Sequence, residues 1–149
     1  MVFVDWELPV IIERLNQLAP NKKALWGNFT AQGMIEHLSN GIKMSMGRLS
    51  FPMEVNEERA EKLKNFLFTA EPFARNIHVK FVDPSAPLLH EELDLAVDEF
   101  VILLIEFEAY SRENPNQLHP HPHFGLLTAQ EWKLLHIKHI NHHFNQFGI

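Results

Sequence analysis

The chain has 149 residues, enough for one domain with a sizeable core. Its 46% hydrophobic and 21% charged residues are those of an ordinary soluble globule, and a net charge of -6 with scattered lysines and arginines argues against a nucleic-acid groove. There is no cysteine, which excludes disulfides, thiolate metal sites and a cysteine nucleophile and fits a reducing, cytoplasmic compartment.

Residues 1–5 have no basic n-region, so no signal peptide is expected, and the apolar run 101–105 is too short to span a bilayer. Residues 4–18 read as a first helix. Trp6, Val10, Ile11, Leu15 and Leu18 recur at helical spacing, and Pro9 falls in the opening turns, where its missing N–H costs little. After a break at 19–23 comes the loop 25–29, whose anchors Leu25, Trp26 and Phe29 point to packing over something. Thr30 caps a second helix from Ala31 to about Met46, with His37 at the edge of its stripe of Ala31, Met34, Ile35, Leu38 and Ile42. Residues 55–68 form a shorter, highly charged helix with a solvated face. Residues 70–88 carry Pro72, Pro84 and Pro87 and read as a long crossover; 77–81 alternates but has no obvious partner strand. A third major helix is expected from Ser85 to about Ser111, with Phe100, Leu103, Leu104 and Phe107 on its inner face. A loop rich in proline and histidine, 114–124, leads into the last helix. The sum is an all-α fold: a four-helix bundle in one domain, 1–149, with a long crossover between helices two and three.

The last helix, 127–147, carries the chemistry. Thr128 with Glu131 is a capping-box pattern, and Gly148 supplies the stop. At about 100° per residue Trp132, His136, His139, Ile140, His143 and Phe147 share one face, with His139 and His143 one turn apart. Imidazoles turned toward an apolar face need a partner, and a divalent metal supplies one. A third ligand must come from another element. His37 is the best candidate, inside a helix beside the core. Three protein ligands leave a position open, as in catalytic zinc sites, and imidazole suits zinc or nickel. His142 turns about 100° away from His143 and reads as exposed or as a neighbour of the ligands. His136, one turn earlier, reads as a hydrogen-bond donor or core filler before a ligand. His121 and His123 could close over the site and touch substrate or metal, with a surface turn as the plainer reading. Glu36, directly before His37, has the wrong spacing for a dinuclear carboxylate site. No nucleophile elbow, phosphate loop or dinucleotide fingerprint is present.

The tail His121-Pro122-His123-Phe124-Gly125, Leu127-Thr128, Glu131-Trp132 and 138–147 resembles the end of DinB-like proteins. Met34-Ile35-Glu36-His37-Leu38 resembles that family's first ligand helix, so the likeness covers about 29–47 and 119–148. It implies a four-helix bundle holding a divalent metal through His37, His139 and His143, the same trio that spacing gives. It also implies hydrolase or thiol S-transferase chemistry, the latter with a low-molecular-weight thiol, and a homodimer. His123 and His136 stand where other residue types are expected. The expectation is thus a metal-dependent enzyme with a small-molecule substrate and no nucleic-acid or membrane partner. The alternatives are a non-catalytic helical binding module and a family member whose metal is purely structural.

Overall fold

The computed structural model describes residues 7–77 and 79–149. In chain order these form α1 (Leu8–Leu15), α2 (Ala31–Ser45), α3 (Glu57–Lys64) running into a 3-10 turn (Asn65–Phe68), α4 (Leu93–Glu113), β1 (His119–His121), β2 (Gly125–Leu127) and α5 (Ala129–Gln146). The architecture is mostly helical. It departs from the all-α expectation through the antiparallel hairpin β1–β2, which pairs His119 with Leu127 and His121 with Gly125. Gly125, at φ 74°, takes the left-handed conformation beside the turn. Three residues per strand are too few to announce themselves by alternation, so in sequence the segment reads as a loop.

Local chemistry sets the helix ends. The Thr30 side chain accepts from the Gly33 N–H at 3.0 Å, starting α2 where expected. At α5 both halves of the capping box form: Thr128 Oγ1 accepts from Glu131 N–H, and Glu131 accepts from Thr128 N–H. The expected first helix is shorter, since α1 begins at Leu8, with Pro9 in its first turn; Val4, Asp5 and Trp6 lie outside the described residues. The largest correction concerns α4, which starts at Leu93 and not at Ser85. Asp83 takes the Ser85 N–H and hydroxyl, and the Glu36 carboxylate takes the N–H groups of Leu89 and His90 at 2.6 and 3.1 Å. Those backbone donors are spent on side chains, so the helix begins only after them.

α2 packs on α4 and α5, and α1 packs on α4. Their shared core holds Met34, Ile35, Leu38 and Ile42 from α2, Phe100, Leu104 and Phe107 from α4, and Trp132 and Phe144 from α5, all at most 1% exposed. Each such side chain contributes about 1.5–3 kcal/mol on burial. Arg14 ties α1 to the chain end, donating to the Ile149 carbonyl and to Asn141. The crossover is fastened at two points. Lys138 is buried on α5 and donates to the carbonyls of Thr69 and Glu71, with its ammonium 4.5 Å from the Phe66 ring centroid. Glu36 and Gln32 hold the far end, at 89–90. Between these points the chain folds over α2 and α5 and roofs a cavity. No helix among the described residues is long and apolar enough to cross a membrane.

Candidate metal centre

The cavity has a volume of about 930 Å³ and lies between α2, α5, the 25–29 loop, the crossover and the hairpin. His37, His139 and His143 meet on its wall. One ring nitrogen of each lies within 4.8 Å of the others. The ring centroids are 4.6 to 4.8 Å apart. His37 and His139 are only half-buried by area, yet both line the cavity, so the surface they keep opens inward.

Each ring is positioned by a nameable contact. Phe29 stacks on His37 at 5.0 Å and meets His143 edge-on at 5.5 Å, so the 25–29 loop does pack over the site. Gln146 sits one turn past His143. Its Nε2 donates to the Trp26 carbonyl, which turns Oε1 toward His143 Nδ1 at 2.7 Å. Nδ1 therefore carries the hydrogen, and Nε2 of His143 keeps a free lone pair. This is the outer hydrogen bond that metal-binding histidines characteristically make. Gly27, at φ 78°, lets the loop approach: a Cβ there would stand 2.6 Å from Gln146 Nε2. On α2, Gly41 faces the His139 ring, and a Cβ there would lie 3.4 Å from its Nδ1.

Burial depresses the basicity of all three rings. The His37 pKa falls to about 4, through desolvation first and the nearby His142 second. His139 and His143 are held well below the usual histidine range, again by desolvation and then by the neighbouring imidazoles. At neutral pH the rings are therefore uncharged and can offer lone pairs without first releasing protons. His37 Nε2 and His139 Nε2 lie 2.7 Å apart, one donating to the other. Two ligands of a tetrahedral zinc with bonds near 2.0–2.1 Å stand about 3.3 Å apart, so a ring shift of roughly half an ångström converts this contact into a chelating pair. The donor set, three neutral imidazoles with one fixed from behind, suits a metal ion that takes imidazole nitrogen.

The remaining histidines take separate places. His136 is 2% exposed and stays out of the trio; its Nε2 donates to Ser45 Oγ at 2.8 Å, whose hydroxyl in turn donates to the Ile42 carbonyl. His142 is not fully exposed: it hydrogen-bonds the Phe73 backbone and lies edge-on to Trp26 and Phe73. His121 and His123 are no surface turn. His121 is 9% exposed, and both line the same cavity as the trio. Both pack against Phe81, His121 lies 5.6 Å from Trp132, and neither ring is among the three that converge. Sequence reasoning passed over Gln146, though its i+3 spacing from His143 marked it, and assigned Glu36 no task, though it tethers the crossover.

No curated protein and no solved structure matches the chain. Residues 7–148 match the family described as Protein of unknown function (DUF1569), and over that span, nearly its full length, the chain belongs to that family.

Proposed function

We propose that the protein is a DinB-like, mononuclear, divalent-metal-dependent enzyme of the hydrolase or thiol S-transferase type, acting on a small molecule in the cytoplasm. In this reading α1, α2, α4 and α5 are the bundle helices, and residues 46–92 are the crossover. The observation that carries it is the convergence of three neutral imidazoles, from positions a hundred residues apart, on the wall of a large cavity. When bound, zinc or nickel supplies Lewis acidity, which lowers the pKa of water or of a low-molecular-weight thiol. The chain does the rest. Gln146 fixes the His143 tautomer, Phe29 and Phe73 cover the rings, and the cavity holds the substrate beside them. Three protein donors leave room for a fourth ligand.

Elemental analysis of tag-free protein tests this. About one zinc or nickel per chain is expected, lost in His139→Ala and His143→Ala. Absence of metal, or full retention in His139→Ala, sinks the reading. Assays with ester and amide substrates, and with a thiol plus an electrophile, divide the two chemistries. Metal that stabilises without any turnover supports the structural alternative.

We also propose a second copy of the chain as partner. Leu95, Ile102 and Ile105 stand exposed along α4, by 43%, 54% and 53%. With Asp98, Ala109 and Arg112 they follow the alternating 3-4 spacing of a two-helix seam. Antiparallel pairing sets the isoleucines against each other and brings the acidic start of one helix to Arg112 of the other; parallel pairing opposes like charges. Light scattering should show a dimer that Ile102→Glu converts to monomer, and a monomeric wild type at high micromolar concentration removes the proposal.

A further inference from the structure

The end of the cavity away from the trio holds polar groups that metal binding leaves unused. The ring of His121 lies 5.6 Å from Trp132 and 4.7 Å from Phe124. Trp132 precedes the midpoint of His139 and His143 by nine residues of α5, about 13 Å along the helix at 1.5 Å per residue. The two ends of one cavity are thus separated by roughly the length of an extended small molecule. The wall they share includes Met44, Phe51, Leu63, Phe66 and Phe73, with His136 on α5 between the two ends.

Hydrogen bonding fixes what the two histidines present. The His123 backbone N–H donates to His121 Nδ1 at 3.0 Å, so His121 carries its hydrogen on Nε2. Glu54 Oε1, an acceptor, lies 3.0 Å from His123 Nε2, so that nitrogen carries a hydrogen, and the tautomer this selects has its acceptor at Nδ1. Glu54 is itself fixed to the hairpin turn, its N–H donating to the Pro122 carbonyl. Phe81 stands edge-on to both rings at 5.6 Å and holds them side by side, 5.8 Å between centroids. The two neighbouring rings that line the cavity therefore carry a donor, His121 Nε2–H, and an acceptor, His123 Nδ1.

We propose that His121 and His123 form a second recognition point that binds the carboxamide group of an elongated, uncharged, mostly apolar ligand. A carboxamide answers both partners at once, its carbonyl accepting from His121 and its N–H donating to His123. A carboxylate would face the His123 lone pair with no hydrogen to give, and an ammonium would leave the His121 donor unmatched. The apolar body fills the aromatic stretch, and the opposite end reaches the trio. Only the role of that opposite end rests on the metal reading.

Calorimetric binding of octanamide against 2-nonanone, its methyl-ketone isostere, tests the recognition point on metal-free and metal-loaded protein alike. Octanamide should bind tenfold or more tightly, because the ketone keeps the acceptor and loses the donor. His123→Phe and Glu54→Leu should erase the difference, and His121→Phe should weaken both ligands alike, while circular dichroism and bound metal stay unchanged. A series of chains with a hydroxamate at one end and a carboxamide at the other then tests the spacing on metal-loaded protein. Its affinity should peak where the molecule spans about 13 Å, with methyl-capped chains showing no such peak. Equal affinity of octanamide and 2-nonanone for the wild type overturns the proposal, whatever the variants do. A preserved amide preference with no gain from the hydroxamate removes the proposed span to the trio and leaves the recognition point standing, whereas failure of the protein to load metal sinks the metal reading alone.

Discussion

Gln146 binds both the His143 ring and the Trp26 backbone, so it sets the tautomer of a proposed ligand without being one. Gln146→Leu should weaken metal binding by about 10- to 100-fold, the usual cost of losing such a partner, as read by competition with a chelating dye. In the metal-free protein acid should act on the trio and on two further rings. His121 and His136 have pKa values pushed down to about 3 by burial. In the unfolded chain each titrates near 6.5, so between these values the unfolded state binds more protons. Their contribution is complete above pH 6.5 and is lost as pH falls toward 3, by about 1.4 kcal/mol per pH unit for each ring. Denaturation midpoints of the metal-free protein should drop over that window, and His136→Phe should make the drop shallower. The trio was legible in the sequence because His139 and His143 share a helical face and His37 has no other local reason to sit beside a core. The burial of His121 and His123 was not, because it depends on Phe81, contributed by a segment without periodicity.

Caps made α2 and α5 readable, since Thr30 and Thr128 act on donors within three residues of themselves. Thr128→Ala should cost about 1 kcal/mol and lower Tm by roughly 2–4 °C in a thermal scan. The start of α4 was misplaced because the group that stops an earlier start, the Glu36 carboxylate, lies more than fifty residues away in sequence. The hairpin escaped notice for a related reason. His119-Pro120-His121 has no β-branched residue, and its pairing with Gly125–Leu127 is held by packing on α2, α3 and α5.

At the level of the whole molecule, an ion at the trio would link α2 to α5 and bind only the folded chain. Free metal at a hundred times its Kd should add about 2.7 kcal/mol of stability, seen as a rise in Tm that EDTA reverses and that His139→Ala lacks. The approach of those two helices at Gly41 has a further consequence. A glycine inside a helix costs about 1 kcal/mol against alanine, so Gly41→Ala should raise the Tm of the metal-free protein. The added methyl would rest against the His139 imidazole, the ring that must swing outward from His37 to embrace an ion. The variant should therefore be sturdier and grip metal less well, a trade that makes this glycine the slack in the hinge between folding and binding.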